Sequence, residues 1–599
     1  MTCRPDQVLP AILLALLALP ALAGVSPDPL ADAAAAIERG DGVAAEVAAR
    51  RALDAGLPHN TVDAYLGEAA LLQGDPDEAR RWLAPGEFDA ASAQRGFHAL
   101  GNLELAAGHF GPAATALDRA LKEGRPDARL WVDIGRLRYR AGEQHLAADA
   151  VNRALAIDPA EPQALKFQAE LLRDAQGLVA ALPWFERAVQ RAPKDLDLLG
   201  RYAAALGDLG RYREMLAVAR SMVKIDRTDP RAYFLQAVLA ARAGQNELAR
   251  RLLWSAKGAY DDAPAGMLVA GVLEYRAGST ELAVDRFDKL ADLQPDNEAV
   301  ERLVGSALLA DGDASEVIAR FADRAARPDA SPYLLTLVGR AYEHVDRRDL
   351  AAPFLDRAAQ TPGQRLAPLG LSEAGELAIY RWGEDPTAAD VAVPTLRKLL
   401  ADGRTGEAVA YSLELRHRYP NSSDIEVLCG DAAMLGGDAA GALELYRSAK
   451  QVRWTAALAT RIAAAERLLG HTDIAEHELA AYLAQHPQDG AIASQVGRAA
   501  AAHGDWRSAA VLLGHAARLP GGAGDPRLIA DLAEAQLHLG DRERALANAQ
   551  RAYALQRNSP RATSVLAAAM AQGGKPSNGA AVLLAKARIL GGEPALALR

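Results

Sequence analysis

The chain has 599 residues, half of them hydrophobic and only 5% aromatic, with a formal net charge of −10. An acidic balance of this kind does not suit a nucleic-acid partner, which rewards clustered Lys and Arg. Two cysteines, Cys3 and Cys429, are too few for a disulfide framework, and no valine- or isoleucine-rich alternating run suggests a sheet.

In chain order, the first segment reads as an export signal. Arg4 opens a short polar region, an apolar stretch runs from Val8 to Ala23, and Ala21-Leu22-Ala23 places small residues where a signal peptidase reads them. The expected cut follows Ala23, and a periplasmic or secreted mature chain follows from it. The alternative, an uncleaved anchor, needs ~20 apolar residues, more than this stretch offers. No cysteine follows the cut, so a lipid anchor is not expected, and no later segment reads as a transmembrane span.

From residue 24 onward a glycine recurs every 34 residues: Gly40, Gly74, Gly108 and Gly142, then Gly210, Gly244, Gly278 and Gly312. Gln176 and Asp346 hold the same spacing without being glycine. A small residue stands seven places before each, as at Gly67, Gly101 and Ala203. Five places after comes Ala79, Ala113 or Ala147, and nine places after comes Leu83, Leu117 or Phe185. Proline often closes the unit, as at Pro159, Pro193 and Pro295. This period predicts stacked units of two antiparallel helices. Glycine sits in the turn between them, the small residue lets the helices approach, and proline stops the second helix.

The stretch Gly101-Asn-Leu-Glu-Leu-Ala-Ala-Gly108-His-Phe110-Gly-Pro-Ala113-Ala-Thr-Ala-Leu117-Asp-Arg-Ala120-Leu resembles the tetratricopeptide repeat (TPR) superfamily, and so does Gly135 to Pro159. The resemblance implies an all-α TPR solenoid. As a scaffold shared by many functions, it implies no chemistry of its own.

The register holds to Pro362 and then fails. Residues 363–388 carry Pro368, Gly370, Gly375, Gly383 and Pro386, with room for a short helix from Ser372 to Trp382. This joint reads either as a hinge or as a packed degenerate repeat. The ladder resumes at Gly403, Gly437, Gly470, Gly504, Gly540 and Gly574, with one longer gap at Leu519 to Pro526. The expected organisation is therefore a signal over 1–23, an N-terminal array over 24–362, the joint over 363–388, a C-terminal array over 389–590 and a tail over 591–599. That makes about sixteen repeats in two superhelical arrays.

Catalytic signatures are missing where they would be needed. His477-Glu478 has no second histidine at zinc-protease spacing, and no cysteine pair offers a structural zinc site. Gly370 to Gly375 is one residue too long for a nucleophile elbow. In Gly573-Gly574-Lys575-Pro576-Ser577 a proline replaces the hydroxyl of a phosphate loop. Cys429 stands at an apolar position of a first helix and reads as a buried, inert thiol. We therefore expect no enzyme, no metal and no cofactor.

What remains is the inner face. The resemblance places its side chains at positions two, five, nine and twelve of each unit, counting the turn glycine as fifteenth. There stand Arg95, His98, Asn102, Arg129, Arg136, Tyr139, Lys166 and Arg173, a basic and polar cluster in an acidic chain. Such a cluster could favour an acidic ligand, or be an ordinary solvated face in which Glu170 pairs with Lys166 or Arg173. Further along the same positions give Phe234, Val238, Leu268, Val272 and Tyr275. An apolar groove of this type suits a peptide strand or an amphipathic helix, unless the array buries it against itself. The carboxylate clamp for chaperone tails, which the resemblance brings to mind, is not expected. At its positions stand His98, Asn102, Asp133, Gln163 and Phe167, and Asp133 repels a carboxylate.

Two functions follow. One is a non-catalytic scaffold of the cell envelope, which the resemblance links to exopolysaccharide or outer-membrane assembly. The other is direct capture of an acidic polysaccharide or peptide on the basic cluster.

Overall fold

A computed structural model describes residues 29–294, 297–327, 330–359, 394–396, 398–400, 402–420, 422–519, 521–571 and 578–591. The expected signal over 1–23, the joint over 363–388 with its Ser372–Trp382 helix, Gly574 and most of the 591–599 tail lie outside these residues.

Among the described residues the chain is helical and strand-free. Ten helix pairs run from Pro29–Glu38 with Gly42–Asp54 to Pro332–His344 with Arg348–Ala359. Helical residues 394–396 and 398–400 precede the Thr405–Arg418 helix, and five more pairs end at Asn578–Ile589. The expected count of about sixteen repeats and the all-α solenoid both stand. The described residues form two compact units, one ending at Leu137 and one starting at Arg138.

The ladder glycines do what the period requires. Gly40, Gly74, Gly108, Gly142 and their counterparts to Gly540 turn between paired helices with φ between 73° and 93°, a conformation that costs other L-residues roughly 1–2 kcal/mol. Asp346 takes the same role at φ 57°, as a short polar side chain can. One rung differs from the sequence reading. At Gln176 the backbone is not left-handed; the first helix extends one place and Gly177 makes the turn at φ 104°.

Packing follows the same repeat. A Cβ at Gly67 would lie 2.3 Å from Leu83 Cγ, and one at Gly430 would lie 2.4 Å from Tyr446 Cε1. The small residue is thus the seat of the large one sixteen places later. Leu83, Leu117, Val151, Phe185 and Phe287 are buried in consequence. The longer gap near Leu519 contains a 3-10 turn over Gly522–Gly524.

Candidate functional site: the first-helix face

The cations of the basic cluster carry acidic partners. In the unit ending at Leu137, Arg95 Nη1 donates to Glu68 Oε2 at 2.6 Å and its guanidinium lies 4.8 Å from the Tyr65 ring centroid. Arg129 Nη2 pairs with Glu38 Oε2 at 3.0 Å. Asp133 gathers three neighbours: His98 Nε2 at 2.8 Å, Asn102 Nδ2 at 2.9 Å and Arg136 Nη1 at 3.1 Å. Burial opposes charge on both His98 and Asp133. Burial is the largest single influence, but their mutual hydrogen bond, their mutual charge and the other charged and polar groups nearby together outweigh it, so the imidazole pKa is raised and the carboxyl pKa lowered.

In the unit from Arg138 the pattern continues. Tyr139 Oη donates to the Asp174 carboxylate, and burial together with that carboxylate pushes its pKa up to about 12. Arg173 Nε donates to Asp174 Oδ1 at 2.8 Å. Lys166, 6% exposed, donates to Asp197 Oδ2 at 2.9 Å. Burial works against the Asp197 charge, but Lys166 and Arg201 pull its pKa down to about 2. Glu170 pairs with neither Lys166 nor Arg173 but with Arg201, at 2.9 Å.

These contacts obey a rule that single-repeat reading does not reveal. Position nine of one repeat meets position six of the next. Asn102 meets Asp133, Glu170 meets Arg201, Asp431 meets Arg461, and Arg498 meets Asp531. Three of these rungs join opposite charges, acid to base at Glu170 and Asp431 and base to acid at Arg498, while at Asn102 an amide meets the carboxylate. The signal is present in the sequence as opposite charges about 31 residues apart, three short of the 34-residue period. Position six was left out of the candidate face, so Asp133, Arg201, Arg461 and Asp531 were missed as partners.

The best-built rung is Asp431, itself 6% exposed. It accepts from Tyr446 Oη at 2.6 Å and, through both oxygens, from Arg461 Nε at 2.7 Å and Nη2 at 2.9 Å. Burial and Asp431 push the Tyr446 phenol far above its usual range.

The face then turns apolar. Leu268 and Tyr275 are 39% and 40% exposed on Pro264–Ala277, with half-buried Val272 at the same helical face between them. Val238 is half-buried on Pro230–Arg242. Phe234 is not an open groove residue: Tyr260, from the turns after the short Asn246–Ser255 helix, stacks on it at 4.1 Å between ring centroids and 10° between planes.

Elsewhere, Cys429 is buried, with Sγ 3.0 Å from the Ser412 carbonyl oxygen, and burial pushes its thiol up to about 11. Among the described residues no cluster of three His, Cys, Asp or Glu side chains could hold a metal ion, and no helix is long and apolar enough to cross a membrane.

A family model described as tetratricopeptide repeat matches residues 98–162 and 133–195. Together with the repeated helix pairs this match supports a tetratricopeptide repeat superfamily protein. Its repeats support a protein-interaction scaffold, and the fold is in general a non-catalytic one. No curated protein matches. Among solved structures, the chain is similar to the crystal structure of the APC/C hetero-tetramer Cut9-Hcn1 at 14% identity and TM-score 0.26, covering 90% of this chain and 96% of that one. A human IFIT1 dimer with PPP-AAAA matches at 15% identity and TM-score 0.34, over 69% of this chain and 94% of that one. A tetratricopeptide repeat protein from Parabacteroides merdae matches at 14% identity and TM-score 0.30, over 40% and 94%. At scores this low, what those proteins bind says nothing about this one.

Proposed function

We propose that the protein is a non-catalytic scaffold of the cell envelope that holds a partner protein on the first-helix face of its repeats. Exopolysaccharide or outer-membrane assembly is the process we assign to it. The observation that carries the binding mode is the Leu268–Val272–Tyr275 stripe, exposed at both ends, which lies beyond the self-paired polar cluster. An apolar stripe at i, i+4, i+7 spacing suits an amphipathic helix or an extended segment of a partner. The export-type segment ending at Ala23 supports the compartment.

Capture of an acidic polysaccharide has less to draw on. Arg95, Arg129, Arg136, Lys166 and Arg173 already face carboxylates, so a polyanion would have to displace them.

Pulldown of envelope extracts with wild type and with a Leu268→Asp, Tyr275→Asp double variant tests the proposal. A stable partner recovered by wild type and lost by the variant is expected. Equal recovery would remove the apolar stripe from the mechanism. Salt-sensitive binding to uronate polymers, abolished when Arg95, Arg129, Arg136 and Arg173 are changed to Glu, would establish the polysaccharide reading instead.

A further inference from the structure

Within the unit from Arg138, repeats far apart in sequence meet along one seam. On one side are three successive helix-pair turns, at Gly142, Gln176–Gly177 and Gly210. On the other are three successive inter-repeat connections, at Ser422–Ser423, Gln451–Thr455 and His486–Asp489. Both sides recur once per repeat, so the two edges run in step.

The bonds across the seam cap helix ends in both directions. Ser423 N–H, at the start of Ser423–Leu435, donates to Gln144 Oε1 at 3.3 Å, and Gln144 is 7% exposed. In return Ala180 N–H, in the first turn of Leu178–Arg191, donates to Gln485 Oε1 at 3.1 Å. The residue before that helix is Gly177, which has no side chain with which to cap it. Helix N-termini carry unpaired N–H groups, and a side-chain acceptor there stabilises the helix. Between these two, Trp454 N–H donates to the Asp174 carbonyl oxygen at 2.6 Å.

A periodic edge can slip by one repeat, because each rung resembles the next. Something must choose the register. The irregular rung does. A Cβ at Gly177 would lie 2.6 Å from Gln485 Cβ and 2.8 Å from His486 Cε1. His486 is held there by stacking on Tyr482 at 4.1 Å, with Trp454 edge-on to both rings. At the regular turns of the same seam a Cβ at Gly210 would meet the end of a flexible side chain, Gln488 Nε2 at 2.8 Å, and one at Gly142 only Ser422 Oγ at 3.9 Å; at Gly244, off the seam, it would meet nothing within 4 Å.

We propose that this seam is an intramolecular latch, in which the connection edge of the later repeats is the resident partner of the turn edge of the earlier ones, and that Gly177 is the key setting its register. The bonds across the seam are polar, and an aromatic cluster backs them on the later side. Beside it Leu178, Asp208, Arg242, Tyr482, His486 and Gln488 line a cavity of about 370 Å³, so the closed edge is not fully packed.

Hydrogen exchange on the full chain tests the latch. Gly177→Ala and Gly244→Ala both put a Cβ on a positive-φ backbone, but only the first collides across the seam, and at ψ 176° it also carries the larger local strain, which Gln485→Ala avoids. In Gly177→Ala, amides of peptides covering Ser423 and Trp454 should exchange at least tenfold faster than in wild type; in Gly244→Ala they should not change. Gln485→Ala leaves the Gly177 backbone untouched and should raise exchange at Ala180 and Trp454 together. Far-UV circular dichroism keeps a folding defect separate. Unchanged exchange at Trp454 in both Gly177→Ala and Gln485→Ala would overturn the latch. Equal loss in Gly244→Ala would overturn the role of Gly177.

Discussion

Two stretches of the first-helix face differ in how they are completed. From Tyr139 to Arg201, and again at Asp431–Arg461 and Arg498–Asp531–Arg561, charges of this face are paired, most of them across repeats. From Phe234 to Tyr275 the same positions are apolar; Tyr260 covers Phe234 and Val272 packs on the core. The polar stretches use the face to join repeats. The apolar stretch leaves it partly open, at Leu268 and Tyr275. On a repeat protein the residues that look most like a binding site in one repeat can be the mortar of two. What is left uncompleted is the better guide to a partner.

The largest effect that would break this contrast is at Asp431. Asp431→Ala strands Arg461 and the fully buried Tyr446 hydroxyl, and removing one partner of such a pair costs about 3–5 kcal/mol. Urea denaturation should show it, and a loss under 1 kcal/mol would mean the rung is not structural. Tyr260→Ala comes next. It uncovers Phe234 and should cost roughly 0.5–1.5 kcal/mol of stacking, plus some burial. If Phe234 then adds to the binding stripe, partner affinity should rise.

Smaller still is the Glu170–Arg201 rung. Arg201 is about half exposed at its side chain, so solvent screens the pair. A double-mutant cycle with Glu170→Gln and Arg201→Gln should give only ~0.2–1 kcal/mol, falling with added salt.

The finest test uses two histidines with opposite signs. The His98 pKa is raised by Asp133 against burial, so this pairing is strongest below the ordinary imidazole range and weakens as pH rises through the raised value. Burial lowers the His486 pKa. Its Tyr482 carbonyl bond and Asp489 pull the other way, and Asp208 and Arg242 line the same cavity. Protonation is thus disfavoured in the closed seam, whose stability is full above about 6.5 and falls as pH drops through the depressed value. Exchange corrected for its intrinsic pH dependence should show protection near Asn102 decreasing as pH rises from 6 to 8. Over the same change protection near Ala180 should increase. Parallel trends would contradict one assignment.

The helix pairs were legible because their causes are local. A turn glycine, a small residue seven places earlier and a large one nine places later act within one unit, and the period repeats the message. The face positions were also legible, down to His98, Lys166 and Leu268. Their partners were not. Asp133 meets residues of two helices, and Asp431 is shared by Tyr446 and Arg461, fifteen and thirty residues away. Such choices are made by packing between repeats, where a carboxylate out of water takes whichever donor the crossing brings near.

Gly177 shows the division most clearly. In the sequence it is a one-residue fault in a ladder. That the fault faces Gln485 across a seam, 308 residues later, is written in no local pattern. The period encodes the unit because short-range sterics decide it; tertiary contact decides which units meet, because every unit offers nearly the same edge.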